Sequence, residues 1–206
     1  MKILALDASG PVASVALVRE EAVLEERLPP NPAEALLAQS KSLLRESGLT
    51  LAQVDAIAYN AGPGSLTGLK VGLVAAQGLA LPRQIPLVGV PSFWALAKAM
   101  GKEELAMALR ARKNALFFGV ARRGKNGWQV DGPCLIEEKE ALSRLCDWQG
   151  PIAADPAWTA CSHLNPLSWP PLAGAMGQLA VSLLGQGQWS KASSAVLEYG
   201  LSPVQA

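Results

Sequence analysis

Apolar positions along the first hundred residues switch between two periods. Residues 2–7 form a short apolar run of the kind that makes a buried strand, and Ser9-Gly10-Pro11 is a turn. Residues 12–18 alternate well enough for a second strand, and residues 22–28 fit a third. Pro29-Pro30-Asn31-Pro32 breaks the alternation. Asn31 as N-cap, with Pro32 in the first helical position, predicts a helix over 32–47 that Gly48 stops. A fourth strand over 55–60, a loop over 61–65 and a second helix over 66–81 ended by Pro82 follow. Residues 85–90 predict a fifth strand, and Pro91-Ser92 opens a third helix reaching about residue 100.

Tight turns between the first three strands describe an antiparallel meander, since the link after Ala8 is too short for a crossover. Three antiparallel strands followed by helix, strand, helix, strand, helix match the half-domain of actin-like ATPases (the ASKHA fold), an α/β class of two lobes with mixed sheets flanked by helices. The second half is less periodic. Strands are predicted over 105–109, 115–121, 128–130 and 152–154, with a hairpin turn at Gly124-Lys125-Asn126-Gly127 and helices over 137–146 and 173–184. The Pro-rich stretch 151–171 reads as an ordered surface connection. These elements predict an N-terminal lobe over 1–100 carrying partner-binding helices and a smaller, reduced C-terminal lobe over 101–206. Five of the six tryptophans fall in the second half, where they are expected to fill a core or cover loops.

Composition narrows the function. Half of the 206 residues are apolar, and 18 Lys and Arg against 17 Asp and Glu leave a net charge of +1. Disorder is excluded on both counts. A near-neutral chain without a basic run offers little to a phosphate backbone, so direct tRNA or DNA binding by this chain alone is not expected. Cys134, Cys146 and Cys161 lack metal-site spacing and His163 is the single histidine, so no metal site is expected. With no leader-like or membrane-length apolar run, a cytoplasmic protein with reduced thiols is expected.

Gly62-Pro63-Gly64-Ser65-Leu66-Thr67-Gly68 joins a strand to a helix, where free amides and the helix dipole favour an anion. It misses the Walker A spacing because Leu69 follows Gly68, and misses the dinucleotide fingerprint because Thr67 stands at the third glycine. It also lacks the flanking glycines of a nucleophile elbow. The plainer expectation is a tight turn with Ser65 capping the helix. Asp7-Ala8-Ser9-Gly10 lies in the first turn of the meander, where actin-like ATPases cradle phosphates. Asp7 is expected there as a turn carboxylate carrying little packing. The matching strand of the second lobe reads Met107-Ala108-Leu109-Arg110-Ala111-Arg112, with no carboxylate. Asp7, Ser9, Gly62, Gly64 and Ser65 are thus candidate phosphate-loop residues without a complete partner site.

The helix over 66–81 is almost wholly apolar, with Thr67, Lys70 and Gln77 its polar residues. A surface helix carries a polar face, so this one is expected to meet the sheet on one side and another chain on the other, the alternative being that the helices over 32–47 and 66–81 satisfy each other and the second lobe. Gly68, Gly72 and Ala76 form a small-residue stripe, expected to admit a partner helix. Leu69 lies beside it, and Leu36, Leu37, Ser40, Leu43 and Leu44 of the preceding helix extend the expected partner-binding set.

Leu4-Ala5-Leu6-Asp7-Ala8-Ser9, the stretch from Gly62 through Gly72 with Gly78-Leu79-Ala80, and Ile85-Pro86-Leu87-Val88-Gly89-Val90-Pro91-Ser92 together resemble the bacterial TsaB family, also called YeaZ. The likeness is thinner later: Arg110-Ala111-Arg112-Lys113 is similar to the family's Asp-Ala-Arg segment, and Tyr199 stands where a terminal Tyr motif is expected. Pro32-Ala33-Glu34 replaces the family's His-Ser pair. The resemblance implies an actin-like, non-catalytic protein that pairs with TsaD as a heterodimer and with the ATPase TsaE in a nucleotide-dependent ternary complex. The product is N6-threonylcarbamoyladenosine at position 37 of tRNAs reading ANN codons. It implies no cofactor in the isolated chain, ATP or ADP with Mg being a matter for the complex. Homodimerisation is expected when the chain is unpartnered. The alternative is a free-standing small actin-like ATPase or kinase.

Overall fold

The computed structural model describes residues 1–20, 22–27, 32–125 and 127–197. Strands β1 (Lys2–Asp7), β2 (Ser14–Arg19) and β3 (Ala22–Arg27) form the expected meander, β1 and β2 pairing without a break from Lys2↔Arg19 to Asp7↔Ser14. Helix α1 (Pro32–Glu46), strand β4 (Ala56–Gly62), helix α2 (Leu66–Ala80), strand β5 (Leu87–Pro91) and helix α3 (Ser92–Met100) follow. β4 runs parallel to β1 and β5 parallel to β4, giving a sheet ordered β3-β2-β1-β4-β5. Pro82 ends α2 in a 3-10 turn, since it supplies no N–H to continue the ladder. Asn31, expected to cap α1, lies outside the described residues.

Strand alternation divides the core. Ile3 and Ala5 of β1, with Ala16 and Val18 of β2, face one way, while Leu4 and Leu6, with Val15 and Leu17, face the other against α1 and α2. The first face is covered by helix α5 (Ala173–Gly185), whose Ala173, Met176 and Ala180 share its cluster. Gly177 lets this helix close on Val18, because a Cβ there would lie 2.4 Å from the Val18 Cγ2. A segment expected to belong to the second lobe therefore completes the core of the first sheet.

The second sheet contains β6 (Glu104–Arg112), β7 (Ala115–Gly124), β8 (Gly127–Glu137) and β9 (Ile152–Ala154), with helix α4 (Glu138–Cys146) between the last two. Its order is β8-β7-β6-β9, with β9 parallel to β6. That repeats β3-β2-β1-β4 and lacks a fifth strand, so the reduced copy read from the sequence is present as topology. β8 runs well past the predicted 128–130. A register shift between Phe118 and Val120, and Gly132 at φ +101°, carry the strand across Pro133.

Within 151–171 the chain forms β9, a 3-10 turn (Thr159–Leu164) and a bridge from Leu167 to Ala153. Trp158 and Trp169 are buried, whereas Trp189 is exposed. Beyond α5, Ser190 exchanges two backbone hydrogen bonds with Leu87, each 2.9 Å, covering the edge of β5. Ala192 and Ala195 then join the core on the α2 side. Tyr199 lies outside the described residues. No helix among those described is long and apolar enough to cross a membrane.

Candidate functional site

β1 delivers Asp7 to the top of the first sheet, and β4 delivers Asn60 beside it. Asp7 is fully buried, which corrects the expectation of a turn carboxylate with little packing. Its Oδ1 accepts from the Ser9 N–H at 3.0 Å, from the Ser9 hydroxyl at 2.7 Å and from Asn60 Nδ2 at 3.2 Å. Its Oδ2 is buried without a hydrogen-bond partner. Burial raises the Asp7 carboxyl above its ordinary value, and the donors from Ser9 and Asn60 pull the other way.

Asn60 ties this turn to the next loop. Its Nδ2 donates to the Ser9 hydroxyl at 2.8 Å, and its Oδ1 accepts from the Gly62 N–H at 3.0 Å and from the Ser92 hydroxyl at 2.6 Å. Two donors on one oxygen fix the orientation of the amide. The Ser92 hydroxyl, at the start of α3, also reaches the Pro63 carbonyl. Gly62 takes φ +115°, a region side chains disfavour. Ser65 caps α2 as predicted, its hydroxyl accepting from the Gly68 N–H at 3.4 Å. Asn60 and Ser92 were missed in the sequence, because neither belongs to a phosphate motif and their partners are remote along the chain.

The turn at Ser9 and the loop at Gly64 and Ser65 form one wall of a cleft of about 690 Å³, faced by Leu109, Arg110, Ala111 and Asp155. Asp155, just after β9, is a carboxylate that the second-lobe reading overlooked. Its Oδ1 accepts from the Ala157 N–H at 2.9 Å, and the Arg110 guanidinium donates to the Ala157 carbonyl at 3.2 Å. The actin-like class places a magnesium-bound nucleotide in this cleft, and the residues fit it poorly. Asp7 is enclosed behind Ser9 and does not line the cleft. The Ser9 and Gly62 amides are turned inward, and the Ser65 amide donates to the Ser9 carbonyl at 3.1 Å. Among the described residues, no group of three or more His, Cys, Asp or Glu is placed to hold a metal ion. His163 is exposed, within the 3-10 turn after Trp158.

The expected partner-binding set divides differently from the prediction. Leu36, Ser40, Leu43, Leu44, Gly68, Leu69, Gly72 and Ala76 are buried within this chain. The Gly68 and Gly72 positions point at β1 and its turn. A Cβ on Gly68 would lie 1.9 Å from the Ala8 carbonyl oxygen, and one on Gly72 would lie 3.9 Å from that of Leu6. The small-residue stripe thus admits the chain's own first strand, not a partner helix. Of the nine residues, Leu37 is exposed, at 42%. The outer face of α2 carries Leu66 (39% exposed), Lys70, Val74 (65%) and Gly78, with Leu81 (64%) just beyond it.

Twin sheets with matching order, flanking helices and a cleft between the strand ends define a protein of the actin-like class. The profile of the family described as "TsaD: tRNA N6-adenosine threonylcarbamoyltransferase" matches residues 30–156. The tRNA threonylcarbamoyladenosine biosynthesis protein TsaB of Escherichia coli is 33% identical over 133 residues, 62% of this chain and 58% of that protein. TsaB of Haemophilus influenzae is 36% identical over 131 residues, 61% of this chain and 56% of that protein. The chain thus spans a little over half the length of these curated relatives. The solved structure of YeaZ from Pseudomonas aeruginosa superposes with a TM-score of 0.74 at 26% identity, over 97% of this chain and 99% of that one. The chain belongs to the TsaB (YeaZ) family, within the broader group that the transferase profile describes.

Proposed function

We propose that this chain is the non-catalytic partner of TsaD in forming N6-threonylcarbamoyladenosine at position 37 of tRNAs that read ANN codons. It pairs with TsaD across α1 and α2, and with TsaE in a nucleotide-dependent ternary complex. Unpartnered, it self-associates through the same face. The observation that carries this reading is the outer surface of those two helices, where Leu37, Leu66, Val74 and Leu81 stand exposed on adjacent elements. Isolated apolar side chains are ordinary on a surface, but Leu66 and Val74 of α2 line up with Leu81 in the turn that ends it, and Leu37 stands on the neighbouring helix, so the four are not scattered singly. Membership of a group whose profile is that of the transferase adds support, because two chains of one fold can pair through equivalent helices. The inward-turned Asp7 supports a supporting role over independent phosphoryl transfer, and ATP or ADP with Mg belongs to the assembled complex.

Reconstitution tests the reading. The chain is mixed with TsaD, TsaE, tRNA, ATP and a threonylcarbamoyl donor, and modified nucleoside is measured with and without it. The expected outcome is co-purification with TsaD and loss of product when the chain is omitted. Undiminished product without it would overturn the proposal. Micromolar Mg-ATP binding with turnover by the chain alone would establish the ATPase or kinase reading instead.

A further inference from the structure

The buried polar cluster at the top of the first sheet makes its contacts inward, and they converge on one object: the start of α2. Asp7 Oδ1 takes both donors of Ser9 and so sets the turn after β1. That turn aims the Ser9 carbonyl at the amide of Ser65, the N-cap of α2. It also places the Ala8 carbonyl under Gly68, where no side chain fits. From the opposite side Asn60 holds the Gly62 amide, and the Ser92 hydroxyl lies within reach of two acceptors, Asn60 Oδ1 and the Pro63 carbonyl, which share its one proton. The loop over 62–65 is therefore gripped from β1, β4 and α3 together. Leu66 and Lys70, on the outer face, lie within the first five residues of the helix so held.

We propose that Asp7, Asn60 and Ser92 are positioning residues: they seat the first turn of α2 and thereby set the face that meets the partner, in place of holding a ligand in the cleft. The seat rests on the partner-binding reading for its consequence but not for its existence. A shift of the helix start large enough to relieve the 1.9 Å approach of a Gly68 Cβ to the Ala8 carbonyl would misplace Leu66 and Lys70, and packed surfaces do not deform smoothly to follow. The Asp7 site needs an acceptor at Oδ1, and an amide oxygen supplies the same acceptor without a charge.

Two measurements on full-length variants test it: amide hydrogen exchange over 64–70 in the isolated chain, and affinity for TsaD. Asp7→Ala and Gly68→Ala are each expected to speed exchange there at least tenfold and to weaken TsaD at least tenfold. Asp7→Asn should restore both to within about threefold of the parent. Gly72→Ala adds the same methyl one turn further on, where 3.9 Å is open to it, and should change neither. Ser92→Ala removes one hydroxyl and serves as the milder variant should Gly68→Ala fail to fold; a threefold or larger rise in exchange is expected. Asp7→Asn as damaging as Asp7→Ala would overturn the seat, since an acceptor at Oδ1 would then not suffice to set the turn. Mg-ATP binding by the parent that Asp7→Asn abolishes would also overturn it. So would faster exchange with unchanged TsaD affinity, which would break the coupling. If the parent does not bind TsaD, the function proposed above fails, and the exchange measurement alone decides whether the seat exists.

Discussion

The Tyr59 hydroxyl of β4 donates 2.8 Å to the Val196 carbonyl, joining a core strand to a segment 137 residues later. Gln77 of α2 makes a similar link, its Nε2 donating 2.8 Å to the Ala192 carbonyl. Together with the Ser190 bridge these bonds hold the 190–197 segment across β5 and α2. Tyr59→Phe removes one of them while keeping the ring. The expected cost is about 1 kcal/mol, at the low end because Val196 is exposed and water can replace the donor. Limited proteolysis within 190–197 should accelerate while the first sheet stays protected.

Gly72 separates packing inside the chain from packing against a partner. With its Cβ direction 3.9 Å from the Leu6 carbonyl, Gly72→Ala should be neutral or stabilising by up to about 1 kcal/mol through helix propensity. Gly72→Leu drives a side chain into β1 and should cost about 1–3 kcal/mol. Thermal unfolding of the isolated chain measures both. An unchanged melting temperature in the leucine variant would put Gly72 on the outer face after all.

The Asp7 carboxyl, raised by burial, makes stability depend on pH in a definite direction. Folding takes up a proton at this site wherever the unfolded carboxyl is ionised and the folded one is not. The contribution of Asp7 is complete below its unfolded value of about 4 and is lost as pH rises through the folded value. Asp7→Asn should therefore gain stability relative to the parent as pH rises from 4.5 upward. Urea unfolding of both proteins across that range checks the sign.

Val74 tests the outer face directly. Val74→Glu places a charge where the side chain is 65% exposed, with Lys70 one turn earlier to receive it. Stability should stay within about 0.5 kcal/mol of the parent. Affinity for TsaD should fall by about 2 kcal/mol, roughly 30-fold. Sedimentation should also show weaker self-association. Unaltered binding would move the interface elsewhere.

Much of the first sheet was readable because its signals are local. The apolar run of β1, Pro32 at the start of α1, the Ser65 cap and Pro82 after α2 each act within a turn of where they stand. The errors fall where the deciding partner is distant. Gly68 and Gly72 announce a close approach but not its identity, and the neighbour is Ala8 and Leu6, some sixty residues away. The burial of Asp7 depends on Asn60, which in turn is held by Ser92, and no spacing in the chain couples them. Asp155 follows β9, and it is the parallel pairing of β9 with β6, which no local signal announces, that brings it to the cleft.

The placement of α5 bears on how this polypeptide is made. One face of the first sheet, with Ile3, Ala5, Ala16 and Val18, is covered by Ala173, Met176 and Ala180. A ribosome adding about 5–20 residues per second finishes β5 several seconds before α5 emerges. Throughout that interval the nascent sheet carries a bare apolar face and an uncovered β5 edge, the surfaces on which holding chaperones act and stray strands pair. The core of the first sheet therefore stays incomplete during synthesis until α5 arrives.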